Sequence, residues 1–506
     1  MTKTLFFTLL SFCMVHQAYS QELAPCGTPN GKSPWLKEYQ KDPGKYKIRS
    51  GEILHMPLSI FLVGDDNGVG TFGETKMVDA LCTLHADFEG TEILFYLKDG
   101  FHYLYNSAYY EHGSVLKGAE MMFANNIENT VNNYVVKDPA GNCGYNLPYA
   151  GIALSKGCTE PSDHTWAHEI GHNLSLPHPF IGWEGGVSHD NTVNHNFNDP
   201  APDTVLIDYT YFQDTLILDT MIIDTVIVER VDGSNCTYAA DGFCDTKPDY
   251  LAQRWACNTE QLSLVEQTDP NGEKFYSDGT LFMSYAFDNC SNRFSDDQID
   301  AMRANIIDEK SAYLDSEVIE LPPVTEVTTL LYPEDGEMVP YDGVEIGWEP
   351  VENAEYYIIQ LGIEPSSTVV IWDTIVTETS LVLYDLKEND DIYWRVRAFN
   401  SFHFCTEFSD NALFVTTDVS AVDMIALDDQ VRLQPNYLQS GDRMYIRNSS
   451  SHSIERIEVR GVGGGIAITT SSAKDYIDTA SLVSGVYFAT IVLENDLRLV
   501  RKFAIL

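Results

Sequence analysis

The sequence His168-Glu169-Ile170-Gly171-His172, followed by His178, constrains this chain more than any other feature. Residues four apart lie on one face of an α-helix, so His168 and His172 can bind one metal ion from successive turns. His178 follows the predicted helix end and can supply a third nitrogen, which leaves a fourth position open for water or substrate. Glu169 lies beside the first ligand, where a carboxylate can deprotonate a water at the metal. The alternative is an amphipathic helix with histidines on its surface.

This pattern resembles that of the metzincin metalloproteases, HExxHxxGxxH followed downstream by a methionine turn. The downstream half is Leu281-Phe282-Met283-Ser284-Tyr285. The resemblance implies a zinc ion on the three histidines, with Met283 packed beneath the site and Tyr285 hydrogen-bonded to the oxyanion. Ser175 stands where the family has glycine, and a serine can adopt the left-handed conformation expected there at a cost of about 1 kcal/mol.

The segment from Asp241 to Pro248, DGFCDTKP, is similar to the calcium-binding GDxxxDTP segment of the pappalysin branch of metzincins, with Lys247 inserted. The resemblance implies a calcium ion held by Asp241 and Thr246, whose oxygens are the ligands that calcium prefers. An acidic turn without an ion is the alternative. Further along, Ser295 to Gln298 is typical of a capping box that opens a helix.

The segment from Ala24 to Asn30, APCGTPN, resembles the cysteine switch of matrix metalloproteases, whose consensus is PRCGxPD. It lacks the arginine, and Asn30 replaces the aspartate. The resemblance implies that the thiolate of Cys26 occupies the open zinc position and keeps a precursor latent. A structural disulfide, such as one between Cys26 and Cys82, is the competing interpretation.

Composition and the N-terminus indicate an exported protein. Lys3, the apolar run from Leu5 to Val15 and the small residues before Gln21 predict a signal peptide over residues 1–20. We expect a short propeptide or N-terminal segment over residues 21–54, called the presegment below. No other stretch has the length of a transmembrane helix. Seventy-five acidic and 31 basic residues give a formal charge of −44, which argues against nucleic acid and anionic membranes as partners.

Nine cysteines remain after the signal peptide, which predicts disulfides and one unpaired thiol. Cys143 and Cys158 are a plausible pair, and Cys405 lies in a later domain and is predicted to be free. We expect two further bridges among the cysteines that surround the calcium-like segment and the methionine turn, namely Cys236, Cys244, Cys257 and Cys290.

Residues 55–316 are predicted to form an α+β, metzincin-like catalytic domain, a twisted mixed sheet with the zinc helix. The expected strands are Leu58–Val63, Glu92–Leu97, Tyr134–Val136 and Gly151–Ser155, and the expected helices are Glu74–Phe88, Leu116–Glu128 and Ser162–Leu174. The resemblance implies that Gly151–Ser155 is the sheet edge that pairs with an extended substrate. Residues 184–233 are an insertion with a repeated pentad over Asp214–Val228; its composition favours β-strands, as a flap or a structural insertion.

The downstream sequence is all-β. After Leu321-Pro322-Pro323, residues 322–418 resemble a fibronectin type III domain, a β-sandwich with Trp348 in its core. Residues 425–506, with Gln434-Pro435-Asn436 and the stretch from Ser481 to Tyr487, look like a small all-β C-terminal sorting domain of the type IX secretion system. This resemblance implies that the type IX machinery exports the chain from a Gram-negative bacterium, to its surface or to the medium.

Together these features predict a multidomain, secreted zinc endopeptidase that acts on proteins or peptides. In the implied mechanism zinc acidifies a water, Glu169 accepts its proton and passes it to the leaving amine, and Tyr285 stabilises the oxyanion with zinc. The metzincin resemblance implies that the stretch after Met283 leads to the pocket for the residue after the scissile bond, where the Asp288 carboxylate would favour arginine or lysine; otherwise Asp288 faces solvent or binds calcium. Two rivals are a zinc hydrolase of non-peptide bonds and an inactive adhesin with a metzincin shell.

Overall fold

The computed structural model describes residues 23–28, 31–46, 51–181, 183, 196–211, 220–315, 317–417, 430–435, 437–439, 441–461, 466–471, 475–494 and 498–506. The predicted signal peptide lies outside these residues. The chain divides into two compact units, one of residues 1–72 and 79–318 and the other of residues 73–78 and 319–506. Within the described part, no helix combines the length and the apolar character needed to cross a bilayer.

Six α-helices lie in the described part before residue 316. They are α1 (Pro34–Tyr39), α2 (Glu74–Asp87), α3 (Ser107–Tyr110), α4 (Val115–Asn125), α5 (Thr165–Asn173) and α6 (Asp296–Asp308). The three helices expected from the sequence are α2, α4 and α5, with ends displaced by at most three residues. The predicted capping box is confirmed at α6, where the Ser295 hydroxyl accepts from the Gln298 N–H and the Gln298 side chain accepts from the Ser295 N–H.

The strands before residue 316 are β1 (Ala24–Cys26), β2 (Leu54–Gly64), β3 (Ile93–Tyr105), β4 (Glu111–His112), β5 (Val131–Val136), β6 (Asp138–Pro139), β7 (Asn142–Leu147), β8 (Gly151–Ser155), β9 (Thr204–Tyr211), β10 (Thr220–Ile227), β11 (Gln267–Thr268) and β12 (Lys274–Phe275). Six of them form one mixed sheet in the order β1-β7-β8-β5-β2-β3. Strands β2, β3, β5 and β8 run parallel, and β7 is antiparallel to β8. A buried apolar cluster that includes Phe61, Met122, Tyr134 and Tyr145 joins this sheet to α4.

The edge of this sheet is not where the sequence places it. We expected Gly151–Ser155 at the edge, but this segment is β8, and β7 lies outside it. The presegment then covers β7: β1 runs parallel to it, with Ala24 opposite Asn142 and Cys26 opposite Gly144. The prediction was wrong because Asn142–Leu147 lacks the alternation and the aliphatic run that mark a strand, although most of it is buried.

The insertion forms a hairpin in its described part. Strands β9 and β10 pair antiparallel, with Thr204 opposite Ile227 at one end and Tyr211 opposite Thr220 at the other. This confirms β-structure for the described part of the insertion, whereas residues 212–219, with the first pentad of the repeat, lie outside the described residues. One face of the hairpin is buried. There Val205, Ile207 and Val228 belong to a cluster with Trp183, Ala240, Tyr250 and Phe275.

Disulfides follow most of the expected pairs. Cys143 is bonded to Cys158, Cys236 to Cys244, and Cys257 to Cys290. Cys82 and Cys405 are also disulfide-bonded, so the prediction of a free Cys405 was wrong. Cys26 is a free thiol, which overturns the alternative of a Cys26–Cys82 bridge.

The second unit consists of β-sandwiches. The first comprises β13 (Leu330–Tyr332), β14 (Glu337–Pro340), β15 (Val344–Trp348), β16 (Tyr356–Gly362), β17 (Val370–Val376), β18 (Ser380–Leu383), β19 (Asp391–Phe399) and β20 (Ala412–Thr417). Its sheets are β13-β15-β18 and β14-β20-β19-β16-β17. Trp348 is 1% exposed in the core between them, as expected, beside Trp394.

The last part of the chain contains a smaller sandwich. Its strands are β21 (Val431–Gln434), β22 (Tyr437–Leu438), β23 (Arg443–Asn448), β24 (Ile454–Gly461), β25 (Ile466–Ser471), β26 (Tyr476–Asp478), β27 (Gly485–Leu493) and β28 (Arg498–Ile505). They form the sheets β21-β23-β26 and β22-β28-β27-β24-β25. Alternating aliphatic residues such as Ile457, Val459, Ala489 and Ile491 make up the core.

Candidate metal centre

The three histidines of the predicted zinc motif meet beside α5. His168 and His172 extend from successive turns of the helix, with ring centroids 4.6 Å apart. The Nε2 atoms of His168 and His172 lie 3.1 Å apart, and that of His178 lies 3.2 Å and 3.0 Å from them. Tetrahedral zinc with bonds of about 2.0–2.1 Å places its nitrogen ligands about 3.3 Å apart. The donor set therefore fits a metal ion of this kind.

A left-handed turn returns the chain to the cluster after α5. Ser175 has φ of 73°, and its N–H donates to the His172 carbonyl at 3.0 Å. The next N–H, that of Leu176, donates to the Gly171 carbonyl at 2.9 Å, which completes a Schellman-type helix end. Asn305 Nδ2 donates a hydrogen bond to the Ser175 hydroxyl oxygen at 3.1 Å. The serine in place of the family's glycine thus takes the expected conformation.

Backbone carbonyls orient the histidine rings. His168 Nδ1 donates to the Phe282 carbonyl and His172 Nδ1 to the Leu176 carbonyl, each at 2.7 Å. A carbonyl can only accept, so each Nε2 keeps its lone pair for a metal. Burial lowers the pKa of His168 to about 4, and it also lowers the pKa values of His172 and His178. The rings are therefore neutral near pH 7, the form that binds metals.

The methionine turn lies directly below these rings. Met283 is fully buried, and a Cβ built at Gly171 would overlap its sulfur. Gly171 therefore lets Met283 approach the helix between the two histidine ligands. The Tyr285 ring lies 4.9 Å from that of His178 and 5.8 Å from that of His168, measured between centroids. Met283 and Tyr285 thus lie beside the histidine cluster, and their roles beneath the metal and at the oxyanion stay predictions.

Glu169 is fully buried on the opposite side of the helix from Met283, against β7. Its Oε2 accepts a 2.8 Å hydrogen bond from Thr28 of the presegment, and its Oε1 is buried without a hydrogen-bond partner. A Cβ at Gly144 would lie 2.9 Å from Cγ of Glu169, so this close approach needs glycine. Burial raises the pKa of Glu169 to about 7, opposed by hydrogen bonds from Cys26 and Thr28.

Cys26 is the fourth member of the cluster. Its sulfur and one nitrogen of each of the three histidines all lie within 4.8 Å of one another. Strand β1 fixes this position through hydrogen bonds from the Ala24 N–H to the Gly141 carbonyl and from the Gly27 N–H to the Gly144 carbonyl. Burial and the nearby Glu169 carboxylate raise the pKa of the Cys26 thiol well above its usual value. A cation at the histidines would favour the thiolate instead.

The predicted calcium ligands lie apart from this cluster. Asp241 is fully buried and accepts hydrogen bonds from the Thr246 hydroxyl, at 3.0 Å, and from the Phe243 N–H, at 3.1 Å. Glu229, which no sequence motif marks, is also buried here: it is 2% exposed, and its Oε2 has no hydrogen-bond partner. Burial and the neighbouring Asp241 raise its pKa, opposed by Lys32 of the presegment. These buried oxygens suit calcium chemically, but the described cluster of metal-ligating side chains does not include them.

Asp249 is a second buried carboxylate that sequence analysis missed. Its two oxygens accept from the hydroxyls of Ser277, at 2.7 Å, and Ser284, at 2.6 Å. The Leu251 N–H donates to it as well, at 2.9 Å. Because Ser284 is the residue between Met283 and Tyr285, Asp249 fixes the methionine turn. No spacing in the sequence marks this role, since the partners lie 28 and 35 residues away.

Asp288 lines a small cavity together with His168 and Tyr285. Its Oδ1 accepts from the His164 N–H at the start of α5, at 3.1 Å, and its Oδ2 lies 3.4 Å from Nη1 of Arg254. The carboxylate is thus already paired. The predicted preference for arginine or lysine requires Arg254 to give way, and it stays a prediction.

No protein family model matches the chain, and no curated protein matches it. Among solved structures, it is similar to a mutant of promirolysin from Tannerella forsythia, at 14% identity and a TM-score of 0.37, over 57% of this chain and 97% of that one. Fibronectin(III)-like modules of CbhA from Clostridium thermocellum match 35% of this chain and 93% of their own, at 10% identity and a TM-score of 0.19. PorZ, a surface component of the type IX secretion system of Porphyromonas gingivalis, matches 22% of this chain and 15% of its own, at 16% identity and a TM-score of 0.14. All three TM-scores are below 0.5.

Proposed function

We propose that this chain is the latent precursor of a secreted zinc-dependent endopeptidase of the pappalysin type. One observation carries the proposal: three neutral histidine nitrogens converge within 3.0–3.2 Å of one another, with a buried carboxylate on the same helix. A helix with surface histidines would not bury them in this way, nor orient two of them through backbone carbonyls.

In this proposal His168, His172 and His178 hold the zinc ion. When bound, zinc supplies a Lewis acid that polarises a carbonyl and lowers the pKa of a water. Glu169 accepts the proton of that water at Oε1, the oxygen without a partner, and then delivers it to the leaving amine. Thr28 holds the other oxygen in the precursor, so removal of the presegment releases this hydrogen bond.

The substrate backbone pairs with β7 in place of β1. The presegment already uses this edge through β-pairing at Ala24 and Cys26. Once β1 leaves, the exposed N–H and C=O groups of β7 can bind an extended peptide of almost any sequence beside the histidines. The hydroxyl of Tyr285 then donates to the carbonyl oxygen as negative charge develops on it.

Cys26 keeps the precursor latent. Its sulfur lies within 4.8 Å of the ligand nitrogens, so it takes the ligand position that a water needs for hydrolysis. As a second cofactor we propose calcium bound by Asp241 and Thr246, with Glu229 as an additional ligand. Export follows from the predicted signal peptide and the C-terminal sorting sequence, with the type IX machinery as the partner.

Casein digestion tests this function. The full chain carries a site-specific protease sequence in place of residues 47–50, so the presegment is cut off after folding. The cut protein should fragment casein, and the matched Glu169→Ala protein should not. If casein stays intact while an ester or glycoside is hydrolysed, the chain is a different hydrolase; if no substrate is turned over, the inactive adhesin is the better account.

A further inference from the structure

Residues 31–46 of the presegment lie on a surface whose charge is opposite to their own. They contain four lysines and two acidic residues, a net charge of +2 within a chain of −44. The carboxylates that face them come from β10, the chain that follows it, and α6. These residues are Asp224, Glu229, Asp241, Asp297, Asp300 and Asp308.

Polar side chains of the presegment make specific contacts on this surface. Lys37 Nζ lies 2.8 Å from Asp224 Oδ2 on β10, and Trp35 Nε1 donates to Asp308 Oδ2 at 2.8 Å on α6. Lys32 lies close enough to the buried Asp241 and Glu229 to interact with them electrostatically, and its Nζ donates to Gln40 Oε1 at 3.1 Å. Acidic side chains at several separate points of the surface thus interact with the presegment.

Apolar side chains anchor the same segment. On α1, Trp35, Leu36 and Tyr39 are 9%, 0% and 4% exposed. The rings of Trp35, Tyr39 and Tyr46 pack on one another with centroids 5.1–5.6 Å apart. Cavities of about 390 Å³ and 410 Å³ flank α1, the first beside β10 and the second beside Gly242 and Phe243. Departure of the segment exposes an apolar depression with an acidic rim.

We infer that this surface, here called the α1 surface, is an exosite that binds a basic, aromatic-containing segment of the protein substrate once the presegment has left. The inference rests on the proposed function. The exposed depression needs an occupant that brings both an aromatic ring and positive charge, which is the chemistry of the segment that leaves. Lys32 follows Cys26 by six residues, so the substrate segment binds at most about 20 Å of extended chain from the scissile bond.

Matched substrates test the inference. The protein is the cut full chain described above, freed of its presegment by gel filtration at high salt. A short casein-derived peptide is compared with the same peptide extended, at either end, by the sequence of residues 32–41, and with an extension in which the three lysines are glutamates. The basic extension at one of the two ends should lower KM about tenfold at unchanged kcat. The acidic extension should not.

A variant with Asp224→Lys and Asp308→Lys should lose this advantage while it cleaves the unextended peptide at the wild-type rate. Equal KM values for all peptides with the wild-type protein would overturn the exosite and leave the peptidase intact. Cleavage of none of the peptides would instead count against the proposed function. In that case a labelled peptide of residues 31–46 still tests the surface: binding that the double variant weakens about tenfold or more supports it, and equal binding to both proteins overturns it.

Discussion

Among individual residues, Glu169 is the proposed general base, on which the proposed peptidase activity depends. Glu169→Ala should lower kcat on a casein-derived peptide by at least about 10²-fold, the scale of a missing general base. Because the three histidines do not depend on this carboxylate for their orientation, zinc content and the unfolding midpoint serve as controls and should change little. Normal turnover by the variant would remove Glu169 from the mechanism.

The contact between Gly171 and Met283 can be tested by whether Gly171→Ala stabilises or destabilises the protein. Helix propensity alone predicts that Gly171→Ala stabilises the protein by about 1 kcal/mol. The new Cβ would overlap the Met283 sulfur, so we expect a net loss of about 1–3 kcal/mol in the free energy of unfolding. In a Met283→Ala background the same Gly171→Ala change should cost less, because the overlapping sulfur is gone. Urea denaturation measures both, and a stabilised Gly171→Ala protein would contradict this packing.

Asp249 accepts three hydrogen bonds, and the one from the Ser284 hydroxyl holds the methionine turn. Asp249→Ala leaves these buried donors without an acceptor, so it should cost about 2–3 kcal/mol of stability and raise KM as Tyr285 loses its position. Ser277→Ala, which removes the donor farther from the turn, is the control and should have the smaller effect on KM. Equal KM values for both variants would limit Asp249 to a general structural role.

At the element scale, the sequence predicted what is local. The zinc helix, its left-handed exit at Ser175 and the capping box of α6 each depend on residues within one or two turns, and each was found as expected. Strand β7 was missed because its burial comes from α5 on one side and β1 at its edge. Thr28 and Asp249 were missed for the same reason: their partners are 141 and up to 35 residues away, and no local pattern encodes such distances.

At the same scale, the proposed latency depends on strand β1. The uncut Cys26→Ala protein should cleave a short reporter peptide faster than the uncut wild-type chain, because the variant leaves a ligand position for water and no longer anchors β1 at the metal site. Since the remaining β1 pairing still slows access to β7, a spectroscopic measurement accompanies the assay. Cobalt-substituted precursor should show thiolate-to-cobalt charge-transfer absorption, and the variant should lack it. The same spectrum from both proteins would place Cys26 outside the metal site.

At the scale of the whole molecule, calcium should contribute to stability. Binding to the folded state alone stabilises by about 2.7 kcal/mol at a hundred times the dissociation constant, so Tm should rise with calcium after chelation. Glu229→Gln with Asp241→Asn should abolish the rise. Lys32 opposes a cation beside these carboxylates in the precursor, so the rise should be larger after the cut. An unchanged Tm across millimolar calcium in both forms would leave the segment as an acidic turn.

If one zinc ion on the three histidines makes this chain a peptidase, bound zinc and peptidase activity must rise together, and a zinc titration measures both. The cut protein is stripped of metal by a chelator, and zinc is added back in steps while casein cleavage and bound zinc are measured together. We predict no cleavage by the stripped protein and a linear rise that ends at about one zinc per chain. His172→Ala should neither bind this zinc tightly nor recover activity. Cleavage that is independent of bound zinc, or that His172→Ala retains, would contradict the account.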